Sequence, residues 1–331
     1  MEVYWRINLI MNILILSCGT RNELVQFFKD NLNKIGGRVI TVDCSKYAPA
    51  LYEGNEYYIV PNMTEANYLP TILDICKNNF IDIILPLQED ELKLISSNKP
   101  IFKNENIQIL VSCEETIDLC RDKYSLYQKF KECGIPTILT ANSMIDFVEF
   151  EKQGLMNFPV FVKPRTGCGS IGAMRVETYG LLKELCSIDN KLIIQNCIDG
   201  EEYGVDAYID TISGQLISVF IKKKVRMRAG ETEKSISVRD KAIFELVEQI
   251  VRLIPFSGPI DIDIFKLNGK YYISEINPRF GGGYPHAYRC GVDFIEYIHN
   301  NANGLSNNLC IGNYESGICM MKYSKSEIFK L

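Results

Sequence analysis

Apolar and polar positions along this chain follow two different rhythms. From residue 12 to residue 111, short apolar runs at 12–16, 38–42, 57–60, 81–85 and 107–111 are separated by stretches of helical periodicity, clearest at 23–35 and 68–78. Continuous apolar runs read as buried parallel strands, and their alternation with helices indicates βαβ units with right-handed crossovers. A Rossmann-like α/β domain is expected over residues 1–114. From 115 the pattern changes. Helices are expected at 116–133 and 143–153, then a strand at 159–163, a glycine loop, a strand at 173–176 and a helix at 179–186, which together form a unit over 115–190. From 191 to 331 the chain is richer in strands, at 192–194, 202–209, 216–223, 261–266 and 271–276, with one helix at 241–253. The fold class is thus α/β plus α+β.

The first turn after the opening strand, Ser17-Cys18-Gly19-Thr20-Arg21, lacks the full glycine fingerprint of dinucleotide sites, so the first domain need not bind NAD. Asp43, at the end of the second strand, is either a ligand contact or a cap.

Composition narrows the picture. The chain has 331 residues, 47% apolar and 23% charged, with a formal net charge of −5. This is ordinary globular usage with room for two or three domains. No basic field is present to hold nucleic acid, although a local cationic pocket remains open. No apolar run reaches the ~20 residues needed to cross a bilayer. The 12 cysteines are scattered and form no Cys-x-x-Cys pair. Zinc is therefore not expected, and reduced thiols in a cytoplasmic setting are. The two histidines, His286 and His299, exclude chemistry built on several imidazoles.

Residues 263–279 carry the densest chemistry. Asp263, Glu275 and Asn277 are hard oxygen donors on two strands that meet at Asn268-Gly269, and Arg279 follows. Such donors suit Mg²⁺, which takes one or two carboxylates together with substrate phosphates. Glu275 and Asn277 share a face because strand side chains alternate. A two-residue turn pairs 267 with 270 and sets Asp263 opposite Ser274, facing away from Glu275. A three-residue loop centred on Gly269 pairs 263 with 275 and gathers all three donors, and this second register is the one expected. The competing reading is a solvated hairpin face.

Residues 167–172, Gly-Cys-Gly-Ser-Ile-Gly, match G-x-G-x-x-G, but a strand follows them instead of a helix. The loop reads as a hairpin flap whose backbone N–H groups approach phosphate. Lys163, just before it, is placed to reach the same phosphates. Gln195 to Glu202 read as an extended linker suited to an adenine edge, with a carboxylate near ribose, or else as an acidic surface turn. Lys222, Lys224, Arg226 and Arg228 alternate on one strand and are expected to share one face, meeting phosphate and a substrate carboxylate unless they form a solvated edge.

In this order these pieces resemble the ATP-grasp superfamily, and most closely its carbamoyl-phosphate-synthase-like and pyrrolysine-ligase-like branch. The motifs are Arg121-Asp-Lys-Tyr124, residues 158–164 with Gly167 to Gly172, Ile193-Ile-Gln195 with Gly200-Glu-Glu202, and Asp263 with residues 275–282. The resemblance implies a pre-ATP-grasp N-terminal domain followed by two lobes that clasp ATP. By similarity, Lys123, Lys163 and the flap residues Gly167, Gly169, Ser170 and Gly172 hold phosphates. Gln195 and the backbone near Ile198 meet adenine, and Glu202 meets ribose. Asp263, Glu275 and Asn277 hold two Mg²⁺, with Mn²⁺ as a substitute, while Arg279 steadies the acyl-phosphate; Arg226 and Arg228 are expected beside it as catalytic cations from their place in the strand row, not from the resemblance.

The implied activity is ATP- and Mg-dependent ligation of a small carboxylate, such as an amino acid, to an amine or thiol through an acylphosphate. The glycine loop 281–284 with His286 and Arg289 would border the acceptor site, His286 as a base or in packing. A homodimer is a family-level expectation. Two rivals stand beside this reading: an NAD(P)-dependent oxidoreductase built on the first domain, and a nucleotide-binding protein without turnover.

Overall fold

The structure is a computed structural model that describes residues 10–167, 171–228, 230–326 and 328. The N-terminal strands β1 (Asn12–Leu16), β2 (Arg38–Asp43), β3 (Glu56–Ile59), β4 (Ile83–Pro86) and β5 (Gln108–Ile109) form a parallel sheet in the order β3-β2-β1-β4-β5. This is the expected α/β unit. Helix Asn22–Asn33 packs on it through Leu24, Val25, Phe27, Phe28 and Leu32. Asp43 accepts hydrogen bonds from the amides of Gly19 (2.9 Å) and Ser45 (2.8 Å), so it braces the first turn.

A second sheet is antiparallel and holds β6 (Thr140–Ala141), β7 (Val160–Pro164), β8 (Met174–Val176) and β9 (Leu192–Asn196) in the order β6-β9-β7-β8. Because β9 pairs with both β6 and β7, this lobe runs past the boundary expected at residue 190. The helix expected over 116–133 is two helices, Glu114–Arg121 and Lys123–Glu132. The break is physical: the Asp122 carboxylate accepts from the Tyr124 and Ser125 amides and caps the second helix.

The third sheet contains β10 (Glu201–Ile209), β11 (Leu216–Arg228), β12 (Glu231–Val238), β13 (Gly258–Leu267), β14 (Lys270–Asn277) and β15 (Cys319–Met321), ordered β14-β13-β10-β11-β12-β15. Helix Lys241–Leu253 covers one face through Ile243, Leu246, Val247 and Ile250. One apolar cluster joins the first domain to this lobe. Phe28 meets Phe280 edge-on, with centroids 5.8 Å apart, and Phe27 stacks on Tyr288 at 3.9 Å. That core fixes the loop after β14 against the first domain, and the open face of the large sheet therefore looks into a space bounded by all three units. No helix among the described residues is long and apolar enough to cross a membrane.

Candidate functional site

The hairpin of β13 and β14 confirms the pairing expected of it and corrects the route to that pairing. The turn is the two-residue form, Asn268 (φ 50°) and Gly269 (φ 77°), with Leu267 opposite Lys270. Positive φ at both positions is the mirror-image turn that suits strand twist, and glycine accepts it without strain. Regular pairing from this turn would set Asp263 opposite Ser274. A bulge on β14 inserts Ser274, so Ile264 faces Ile273 while Asp263 faces Glu275. The buried apolar positions of β14 show this shift, because Tyr271 and Ile273 are odd-numbered and Ile276 is even. Asp261 faces Asn277 in the same register, and the Asn277 amide lies 3.5 Å from its carboxylate. Four side chains thus share one face: Asp261, Asp263, Glu275 and Asn277. Asp261 escaped the sequence reading, although its place two residues before Asp263 was a usable signal.

This face forms the floor of a cavity of about 720 Å³, lined also by Lys123, Lys163, Gln195, Ile198, Glu202 and Arg279. Such a volume falls in the range of small-molecule sites, roughly 300–1,000 Å³. Lys123 opens its helix directly after the capping Asp122, which also pairs with Arg165 at 2.5 Å, and its Nζ donates to the Gly167 carbonyl at 2.5 Å. Lys163 pairs with Ile193, one residue before the end of β7, and is buried. Burial holds its ammonium pKa below the usual range, and the Glu275 carboxylate opposes that shift. Gly167 (φ 110°) and Gly172 (φ 72°) keep the flap in conformations that favour glycine, whereas Gly169 and Ser170 lie outside the described residues. The Gln195 amide nitrogen donates to Thr140 Oγ1 at 2.8 Å, which leaves its oxygen to accept from a ligand. Burial raises the Glu202 pKa, against the pull of Lys224.

Lys224 Nζ lies 2.6 Å from Asp263 Oδ1 and 2.8 Å from Glu202 Oε1. Burial alone would depress its pKa, but the two carboxylates outweigh burial and raise it.

The expected cationic row on β11 does not form. Register shifts fall between Lys224 and Arg226 and again between Arg226 and Met227. They interrupt the alternation, so Met227 lines the cavity while Arg226 and Arg228 turn outward to Glu233, at 2.9 and 3.6 Å. Both arginines are mostly exposed. Lys222 is buried in an ion pair with Asp206.

At the other end of the cavity, Arg279 donates to the Phe280 carbonyl at 3.0 Å and faces Glu89 at 3.6 Å and Asp261 at 3.9 Å. Burial raises the Glu89 pKa, and Arg279 counters it. Arg21 and Glu231 line the same end, 4.0 Å apart, and Lys322 reaches Glu231 at 3.1 Å. Arg21 and Glu89 come from the first domain, and no local motif marks them. Gly282 and Gly283 line the cavity, but His286 and Arg289 do not. Arg289 pairs with Glu23 at 2.8 Å on the surface. His286 is buried, with Nδ1 2.8 Å from Ser235 Oγ and Nε2 3.1 Å from the Ile318 carbonyl. A carbonyl only accepts, so Nε2 carries the proton and Nδ1 accepts from the serine hydroxyl. Burial, then Lys222, pushes its pKa down to about 4. This geometry is that of a neutral packing histidine.

The donor set fits a hard cation bound together with phosphate. Among the described residues no three His, Cys, Asp or Glu side chains converge on a metal-sized site. Asp263, Glu275 and Asn277 supply two carboxylates and an amide oxygen, so phosphate or water oxygens must complete the shell, as is usual for Mg²⁺.

Comparison with known proteins agrees with this layout. The PylC-like N-terminal domain family matches residues 13–110, and the ATP-grasp domain family matches residues 120–283. An uncharacterized protein of Methanocaldococcus jannaschii is 26% identical over 284 residues, covering 83% of this chain and 69% of its own. The carbamoyl phosphate synthase large chain of Clostridium beijerinckii is 24% identical over 290 residues, covering 77% of this chain but only 26% of that much longer one. Among solved structures, the biotin carboxylase of Campylobacter jejuni in complex with β-γ-ATP superposes with a TM-score of 0.71 at 18% identity, over 91% of this chain and 72% of that one. The chain carries a PylC-like N-terminal domain followed by an ATP-grasp domain, and so belongs to the ATP-grasp superfamily.

Proposed function

We propose that this protein uses ATP to activate a small carboxylate as an acylphosphate and then joins it to an amine. One observation carries the reading: Asp263 faces Glu275, with Asn277 on the same side, beneath a cavity that also presents Lys123, Lys163, Gln195 and Glu202. In this reading Lys123, Lys163 and the flap hold the phosphates, Gln195 and the backbone near Ile198 take adenine, and Glu202 takes ribose. Asp263, Glu275 and Asn277 hold Mg²⁺, two ions in the full complex, with Mn²⁺ able to substitute. Bound there, the metal would supply charge neutralisation for the phosphates of the nucleotide. The substrate carboxylate attacks the γ-phosphorus and ADP leaves. The amine then attacks the acyl carbon and phosphate leaves.

The protein's part is positioning and electrostatics. Arg279 is the cation set to meet the transferring phosphoryl and acyl oxygens. Arg226 and Arg228 have no part in this scheme, since they turn away from the cavity. Arg21 and Glu231 present both charge signs at the acceptor end, which suits a zwitterion such as an amino acid. A cytoplasmic setting and a homodimer belong to the same reading, and light scattering of the purified chain reads the second.

The test is release of ADP and phosphate from ATP across a panel of carboxylate and amine pairs, with mass spectrometry of the products. A condensed product that appears only with ATP and Mg²⁺ is expected. Tight nucleotide binding without turnover on any pair, or cofactor reduction with NAD(P)⁺, would overturn the proposal.

A further inference from the structure

We infer that Lys224 is a resident counter-cation of the site: it holds Asp263 and Glu202 together before nucleotide binds, and it gives up Asp263 to the metal when magnesium and nucleotide arrive together. This rests on the ATP and metal reading proposed above.

The sheet order places Asp263 on β13 and Lys224 on β11, with β10 between them. To reach Asp263 the lysine must cross that middle strand. It does so over Gly204, which pairs with Asp263 on one side and Lys222 on the other. A Cβ on residue 204 would lie 3.0 Å from Lys222 Cε and 3.2 Å from Lys224 Cε, so glycine clears the path for both stems. Lys224 then contacts two carboxylates at once, at 2.6 and 2.8 Å, with its side chain only 5% exposed.

Those two carboxylates are the ones assigned to metal and ribose, and they belong to different strands. Without a cation between them, Glu202, Asp263 and Glu275 would place like charges along one partly buried wall, an arrangement that opposes ionisation. Lys224 offsets that repulsion in the nucleotide-free protein. The same contact makes Lys224 a competitor for any divalent ion that arrives alone, because the ion must displace a charge-assisted hydrogen bond and leave a buried ammonium without its partner. A polyphosphate changes the balance by giving the displaced ammonium a new anion. The structure thus couples metal entry to nucleotide entry through one side chain, and Lys224 is a positioning residue.

The experiment is calorimetry on the full chain, titrated with MgCl₂ alone, with ADP in EDTA, and with ADP plus MgCl₂. It uses the wild type, Lys224→Met and Gly204→Ala. The second variant keeps the charge and crowds the stems of Lys224 and Lys222 where they pass residue 204. The wild type is expected to bind magnesium with ADP far more tightly than magnesium alone. Both variants are expected to bind Mg²⁺ alone roughly tenfold more tightly than the wild type, and Lys224→Met to lose roughly tenfold in ADP affinity in EDTA. Thermal melts supply the readout that a merely structural lysine would not move: Mg²⁺ alone should restore the melting temperature of Lys224→Met and leave that of the wild type unchanged. Unaltered Mg²⁺ affinity in both variants, with the wild type binding Mg-ADP, overturns this inference and leaves the ligase reading standing. A wild type that binds no Mg-ADP overturns both.

Discussion

The β13–β14 hairpin and the neighbouring β11–β12 pair are built alike and end differently. Both are antiparallel, both carry charged residues at alternate positions, and both contain shifts of register. In the hairpin the shift falls between an apolar half and a polar half. Ile264 with Ile273 and Ile262 with Ile276 both stay on the buried face, while Asp263 and Glu275 meet on the open one. In β11–β12 the shifts fall among the charged residues themselves, so Lys224 reaches into the site while Arg226 and Arg228 leave it. A one-residue slip exchanges the faces of every side chain beyond it. Whether such a slip assembles a site or disperses one depends on which residues stand on either side of it.

The sharpest way to break this comparison is at its gathered end. Glu275→Ala should lower ADP formation by about 10²–10³-fold, the scale expected when a preorganised charge is removed from a phosphoryl-transfer site, with the fold intact by circular dichroism. Turnover close to wild type would show that the gathered face is not the reaction centre.

The turn that begins the register comes next. Gly269→Val forces a branched residue to φ near 77° and should cost about 1–2 kcal/mol in urea unfolding. A loss of activity beyond that of stability would show that the bulge depends on its turn.

His286 sharpens the comparison from the β12 side, through Ser235. Its folded pKa is pushed down to about 4 from 6.5, so below pH 6.5 the unfolded chain takes a proton that the folded chain refuses. Stability should therefore fall as pH drops from 6.5 toward 4, by up to about 1.4 kcal/mol per pH unit from this group. Melts from pH 7 to pH 5 should show a shallower slope in His286→Asn, and equal slopes would refute a buried neutral ring.

The smallest effect belongs to the dispersed end. Arg226→Ala and Arg228→Ala should each change turnover by no more than about twofold, because exposed ion pairs contribute little. A drop of the Glu275→Ala size in either would mean that β11 turns its arginines inward during the reaction.

The chemistry of the site was legible wherever neighbours in sequence are neighbours in space. The strand positions of Glu275 and Asn277 and the lysine before the glycine flap follow from local periodicity, whereas Gln195 and Glu202, read as one extended linker, stand near the end of β9 and the start of β10. Asp261 was equally legible by the same two-residue rule and was passed over. The bulge shows in the burial of β14, where the buried positions change parity from Ile273 to Ile276.

What the sequence could decide alone was the α/β beginning, the strand-rich remainder and which oxygen-bearing side chains are candidate donors, because strand and helix periods and side-chain chemistry are local properties. Tertiary structure alone decided that Arg21 and Glu89 of the first domain face Glu231 and Arg279, that Lys224 crosses Gly204 to reach Asp263, and that two arginines on the same strand point elsewhere. These depend on strand order and register, which are fixed by long-range pairing and by packing of the apolar face, and no stretch of residues carries that information by itself.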